Sequence, residues 1–465
     1  MTSERRSLRG HPTSRRSRRN AGANRRQDVP LESHAECPSV NDRPNPIEIL
    51  TAQDATRLQS LVPIRHARMS ATAFTFYRGT AAIMASDLSR TPTTDLRTQL
   101  CGDAHLSNFG LFKGPDRRLV FDVNDFDETL PGPFEWDVKR LAASVTIAGR
   151  NNGLSSKEIS RATRASVKSY RKTMLTAAGM NPLQIHYFRL EIDQVVAGMG
   201  KKQKKTSAKT AKKATRKDSV RALNKLTDIV NGRRVIIPDP PVITRVDEVL
   251  ERNGLDELVR FLEQYQSTLP NNRQVLLDRY SVVDIAHKVV GVGSVGTRCL
   301  IILLESGGGS PLFLQFKEAT ASVLEPYAGA SEFELAGERV VQGQRLMQST
   351  GDILLGWSRY SSEAADRPDI DFYFRQMWDG KGSAEVDDMD PEGLKHYARS
   401  CGGALALAHA RSGDASMISG YIGEDSTFDH ALAEFSDSYA DLNEHDYDLH
   451  QEAIKSGQIP AFFDL

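Results

Sequence analysis

Apolar residues recur along the chain in two rhythms, and each predicts its own kind of element. From Pro46 the rhythm is helical, with Ile47, Ile49 and Leu50 followed by Leu58, Leu61 and Val62, then Ile64–Met69 and Phe74–Tyr77. Helices are likewise predicted over 138–148, 156–178, 331–348 and 393–410, and from Phe428 on, where Ala431, Phe435, Tyr439 and Leu442 keep the spacing. Between these lie short blocks of strand character. FGLF and LVFDV flank the turn KGPDRR, which predicts a hairpin over 109–123. A second hairpin is predicted from Cys299–Leu304 and Leu312–Lys317, joined by Ser306–Ser310 with its three glycines, and further strands over 352–357 and 371–378.

Two stretches carry no such rhythm. Residues 1–45 hold nine arginines before position 27 and almost no large apolar side chains, which predicts a disordered basic arm, 1–45, able to meet nucleic acid. Its Arg5-Arg6 pair leads into no apolar segment, so export is not expected. Residues 200–218 hold eight lysines and no aromatic residue that could stack on a base, which predicts a flexible charged insertion.

Composition narrows the classes. Sixty basic and sixty acidic residues leave no net charge to steer a polyanion, and no membrane segment is expected. The cysteines, Cys37, Cys101, Cys299 and Cys401, are scattered without a CxxC spacing, which argues against a disulfide framework or a zinc site and for a cytoplasmic chain.

The candidate chemistry gathers at the first hairpin. Folding back on itself, it brings Asp103 and Asn108 at its entry to Asp125 at its exit. Two carboxylates and a carboxamide suit a divalent cation such as Mg2+, which is usually held by one or two carboxylates and the phosphates of a substrate. The remaining carboxylate could take a proton from an attacking hydroxyl. Further along, Gly291-Val292-Gly293-Ser294-Val295-Gly296 fits G-x-G-x-x-G, but a hairpin follows it where a dinucleotide fold needs a helix. In that hairpin Leu312, Leu314 and Phe316 share one face and Phe313, Gln315 and Lys317 the other, so Lys317 faces a cleft. Arg78, set among aromatics, pairs with a core carboxylate or meets a phosphate. A denser set, Asp103, His105, Asp122, Asp125 and Asp127, would alternatively serve a metal-dependent hydrolase that needs no nucleotide.

The run GDAHLSN followed by NDFDE resembles the catalytic loop and metal-binding motif of the aminoglycoside phosphotransferase and protein-kinase-like superfamily. The order glycine loop, hairpin, lysine resembles its nucleotide lobe. The resemblance implies Asp103 as catalytic base, Asn108 and Asp125 as metal ligands, and Asp137 as a brace for a loop in which Cys101 stands at the usual histidine position. It implies that Gly291, Gly293, Ser294, Gly296 and Lys317 hold the phosphates of ATP, with a helix glutamate, Glu338 or else Glu334, beside the lysine. The end Asp379–Ser383 would be a hinge where an adenine ring could lie.

The catalytic loop, however, precedes the nucleotide lobe. This order implies an α+β, two-lobed, kinase-like fold that is circularly permuted, with the helix ending at His409 packing just before Cys101. Its parts would be the arm, a helical lobe over 46–270, a nucleotide-binding β lobe over 271–390 and completing helices over 391–465. The arrangement also resembles an uncharacterised bacterial family, DUF2252, which supplies no reaction. The implied activity is ATP- and Mg2+-dependent phosphoryl transfer to a hydroxyl of an unidentified acceptor. Nucleotidyl transfer, the hydrolase above and a non-catalytic kinase-like scaffold are the alternatives. In the tail, Tyr439, Asp446 and Tyr447 belong to the core or line a substrate pocket.

Overall fold

The helix Phe134–Asn151 is buried on every side from Phe134 to Gly149, although its sequence carries Glu135, Asp137, Lys139 and Arg140. Charges tolerate such burial only when each is partnered. Glu135 accepts from the amide and hydroxyl of Thr94 (2.6 and 2.9 Å), and Lys139 donates to the Thr91 hydroxyl (3.2 Å) beneath the ring of Phe435. Asp137 and Arg140 point the other way, into the loop that precedes the first hairpin. The helices Ser156–Gly179, Pro391–Ser412, Ala415–Ile422 and Thr427–Lys455 pack around this one.

The computed structural model describes residues 13–192, 195, 200–215, 219–246, 252–289, 291–293, 295–361, 368–377 and 380–463. The chain is an α+β protein. Its largest sheet is antiparallel and six-stranded, in the order Gly356–Tyr360, Ile370–Gln376, Pro311–Ala319, Cys299–Ser306, Tyr280–Lys288, Ile243–Arg245. Leu312, Leu314 and Phe316 pack on Leu258, Phe261 and Tyr265 of the helix Arg252–Ser267, as the alternation requires. Phe313 turns to the other face, against Leu223 and Leu226 of the helix Ser219–Leu226. No described helix is long and apolar enough to cross a membrane.

Three expectations need correction. Residues 13–45 of the supposed disordered arm are ordered: the helix Arg15–Asn24 lies against Ala415–Ile422. Glycines make that crossing close, since a Cβ at Gly22 would lie 1.9 Å from the carbonyl oxygen of Met417 and one at Gly420 would lie 2.1 Å from that of Arg19. The arginines then serve as hydrogen-bond donors: Arg18 pairs with Asp414 (2.9 Å), and Arg26 donates to the carbonyl of Gly420 (2.8 Å). The lysine-rich run, expected as a flexible insertion over 200–218, is helical over Lys201–Thr215, because Lys, Gln and Ala are good helix formers and Ala214 buries itself against Gly382. The strand expected over 352–357 begins only at Gly356, since Asp352 accepts from the amides of Leu354 and Gln376 and so turns the chain.

In the C-terminal helix Tyr439 donates to Asp87 (2.9 Å), Asp446 pairs with Arg43 (2.6 Å) and Tyr447 donates to the carbonyl of Ser70 (2.8 Å). These three residues belong to the core.

Candidate functional site

Asp137 organises the loop before the first hairpin. Its carboxylate accepts the amide protons of Cys101 (2.8 Å) and Gly102 (3.0 Å). Gly102 has φ +82°, and a Cβ there would lie 2.3 Å from the carbonyl oxygen of Glu128, so only glycine fits the bend. Asp103 follows at once. Its carbonyl accepts from the amide of His105 and from Nδ2 of Asn108 (both 2.8 Å), which leaves the side-chain oxygen of Asn108 free to act as a ligand.

The Asp103 carboxylate is held by one cation. Arg140 donates through Nε (2.9 Å) and Nη2 (2.7 Å) to Oδ1, while Oδ2 lies 3.6 Å from Nε2 of His105. Burial raises its proton affinity above that of an ordinary aspartate, although Arg140 opposes the shift. Burial, with Arg78 and Arg140 nearby, drives His105 far below its usual range, so the imidazole is neutral. Asp103 therefore offers one oxygen of raised basicity with no competing charge on its immediate neighbour.

The first hairpin closes as its turn chemistry requires. Phe109–Lys113 pairs with Leu119–Val123, and the amide of Asn124 donates to the carbonyl of Asn108 (2.9 Å). Asp125 and Asp127 follow with different surroundings. Asp127 is engaged on both oxygens, by the ammonium of Lys317 on Oδ2 and by the Tyr373 hydroxyl on Oδ1 (2.6 Å). Burial would raise its pKa, but Lys317 and Tyr373 outweigh burial and hold it low, while the same carboxylate lifts Lys317 above the usual lysine range. Asp125 forms no ion pair, and burial together with the charge on Asp127 raises its pKa. A divalent cation bound there would reverse that shift.

The helix Ala336–Met347 reaches this loop through Arg339, not through Glu338. Arg339 donates to the carbonyls of Thr129 (2.6 Å), Asp127 (2.8 Å) and Thr320 (2.8 Å), tying the hairpin exit to the strand that carries Lys317. Glu338 accepts from Gln342 one turn along its own helix (3.4 Å).

These pieces enclose a cavity of about 710 Å3 whose walls include Asp103, Asn108, Asp125, Asp127, Gly291 and Gly293. Ser294 lies outside the described residues. The glycine loop is pinned from below by the N-terminal helices: Leu58 donates its amide to Gly296 O (2.8 Å), Arg57 Nη1 to Val295 O (2.6 Å) and Arg68 Nη1 to Gly291 O (2.7 Å). Glu128, also in the wall, is pushed up to about 7 by burial.

One expectation fails here. The dense hydrolase cluster does not assemble, because Asp122 points to the opposite side of its strand, 3.7 Å from Arg411 and beside Ser349. Among the described residues no three His, Cys, Asp or Glu side chains gather as a metal site. Beside the stretch expected to receive an adenine ring, Arg375 donates to Gln315 (2.9 Å), and half-buried Lys381, lowered to about 7 by burial and Arg375, sits near Asp125. Gly382 is bridged to Leu111 of the hairpin, and Asp379 lies outside the described residues.

One protein family, described as uncharacterized protein conserved in bacteria (DUF2252), matches residues 57–453, a span that holds Asp103, Asp125, Lys317 and His409. The chain belongs to the DUF2252 family. No curated protein and no solved structure matches it. In this member of DUF2252, sequence reasoning missed Arg140, Arg339, Tyr373 and the pairing of Lys317 with Asp127. Arg140 could have been found, since it lies three positions after Asp137 and so on the same side of a helix whose following residues, Leu141–Ala148, are uncharged. Arg339 left no such signal, because surface helices carry arginines routinely.

Proposed function

We propose that this cavity transfers a phosphoryl group from ATP, with Mg2+, to a hydroxyl of an acceptor. One observation carries the reading: Asp103, Asn108, Asp125 and the glycines Gly291 and Gly293 line one cavity, and Lys317 is tied to Asp127, which lines it too. Asn108 and unpaired Asp125 are a sufficient protein ligand set for Mg2+, which normally completes its octahedron with phosphate oxygens and water. When bound, the ion neutralises charge on the transferring phosphates.

Asp103 Oδ2 accepts the proton as the acceptor oxygen bonds to the terminal phosphorus, and the bond from that phosphorus to the bridging oxygen breaks, its electron pair leaving with the diphosphate. Arg140 keeps the carboxylate aimed, and positioning supplies most of the rate. The permuted, kinase-like reading is supported by His409. It arrives from a helix late in the chain and bonds the same aspartate that braces Cys101 and Gly102.

Nucleotidyl transfer is the second reading. The cationic strip of Arg375 and Lys381 disfavours a base beside the sheet, and a donor held in another orientation would present a different phosphorus to the acceptor.

The test is thermal unfolding with ATP, with and without Mg2+, on the wild type, Lys317→Ala and Asp125→Ala. Saturation at a hundred times the dissociation constant adds about 2.7 kcal/mol to a state that binds only when folded. Mg2+-dependent stabilisation lost in both variants supports the reading. The same rise in all three, or none in the wild type, overturns it.

A further inference from the structure

The cavity's charges cancel in pairs until a few remain. Asp103 is matched by Arg140, Asp127 by Lys317, and Glu318 by Arg298 (3.1 Å). Of the acids, Asp125, beside Asn108, and Glu128, which accepts the amide of Val323 (2.8 Å), are left. Arg57 and Arg78 are left on the wall built by the N-terminal helices. Neither arginine has a carboxylate within ion-pair distance, and the Nε of each is buried without a hydrogen-bond partner among the described residues. Arg57 spends Nη1 on the glycine loop, whereas among the described residues no hydrogen bond engages the Arg78 side chain. Both side chains are half-buried, and a guanidinium partly withdrawn from water without a carboxylate favours an oxyanion, which its planar fork of donors matches.

Their positions separate their tasks. Arg57 lies under the glycine loop and within electrostatic range of Asp127, Glu128 and Glu318. Arg78 is on the acceptor side: its charge acts on both Asp103 and His105. Its carbonyl oxygen would lie 3.1 Å from a Cβ on Gly293, so its backbone also abuts the glycine loop.

We infer that Arg78, assisted by the charge of Arg57, binds an oxyanion carried by the acceptor, so that the acceptor is an anionic alcohol with a phosphate or carboxylate near its reacting hydroxyl. This assignment rests on the phosphotransfer reading, and the oxyanion site itself does not. An anionic group on Arg78 would bring the neighbouring hydroxyl toward Asp103 Oδ2. It would also compensate the burial that lowers the proton affinity of both guanidiniums.

The experiment titrates the full chain with inorganic phosphate and, separately, acetate, by calorimetry and thermal unfolding, alone and with saturating non-hydrolysable ATP analogue and Mg2+. Wild type is expected to bind at least one of the two oxyanions with analogue present, Arg78→Met to bind it at least about tenfold more weakly, and Arg78→Lys to recover part of the loss. Phosphate alone would mark a phosphorylated acceptor and acetate a carboxylated one. Competition between oxyanion and analogue would overturn the acceptor assignment, because the arginines would then hold donor phosphates. Absence of binding by both oxyanions in wild type, or binding unchanged in Arg78→Met, would overturn the site. Oxyanion binding that depends on Arg78 in a chain that ignores the analogue would keep the site and remove the phosphotransfer reading. If Arg78→Met does not unfold cooperatively, Arg78→Lys and Arg57→Met decide by the same titrations.

Discussion

Nε2 of His409 lies 3.1 Å from Oδ2 of Asp137, a contact between residues 272 positions apart. That oxygen also accepts the amide of Cys101, and the other imidazole nitrogen meets the hydroxyl of Tyr170 at 2.8 Å. The buried ring thus joins three elements at the root of the loop that carries Asp103. Replacing it with phenylalanine keeps a planar ring but adds bulk at a fully buried site, takes one donor from Asp137 and leaves the Tyr170 hydroxyl without its partner. His409→Phe is expected to cost about 2–4 kcal/mol in urea unfolding. Any nucleotide binding should weaken with it, because Asp137 sets the position of Asp103.

Lys317 and Asp125 separate structure from ligand. Lys317→Ala leaves half-buried Asp127 without its cation, with the Tyr373 hydroxyl still donating, and should lower stability by about 2 kcal/mol even without nucleotide. Asp125→Ala removes a carboxylate that has no ion pair, so intrinsic stability should hold or rise slightly while the Mg2+-dependent gain disappears. Equal intrinsic loss in the two variants would contradict the different surroundings of Asp125 and Asp127.

Gly102→Ala tests the bend. Both its positive φ and the 2.3 Å approach to Glu128 exclude a methyl group. Backbone strain and the shift of Glu128 should together cost about 2–3 kcal/mol. Gly153, also at positive φ but with nothing within 4 Å, is the control, and its alanine variant should lose about 1 kcal/mol.

How much of this was legible depended on range. The hairpin at 109–123 was readable because its turn and apolar runs are local, and closing it necessarily brings Asn108 to Asp125. The face of Lys317 was readable from strand alternation alone. Its partner was not: Asp127 and the helix glutamates are equally plausible from sequence, and one helical position decides whether Glu338 or Arg339 meets the site. The N-terminal arm failed for a similar reason. Its composition lacks apolar residues, but its order comes from glycines at a helix crossing and from arginines bonded to distant carbonyls, and none of these has a periodic signature. Lys381 and Arg375 were invisible as a pair because they converge only when the sheet folds onto the hairpin.

The arm supplies the last prediction. His34 is fully buried, with Nε2 2.7 Å from the Tyr421 hydroxyl, which itself donates to the carbonyl of Val29 (2.9 Å). The imidazole must therefore donate through Nε2, leaving Nδ1 bare, and Nδ1 indeed has no partner. Burial, reinforced by Lys139, lowers its pKa to about 3, against about 6.5 in an unfolded chain. Because the folded value is the lower, the unfolded state takes up the proton first as pH falls. The contribution is complete above pH 6.5 and is lost progressively toward pH 3, at up to about 1.4 kcal/mol per pH unit. Urea midpoints measured from pH 7.5 to 4.5 should fall less steeply in His34→Phe than in wild type. Parallel curves would mean that the segment around His34 does not stay docked on Tyr421 in solution.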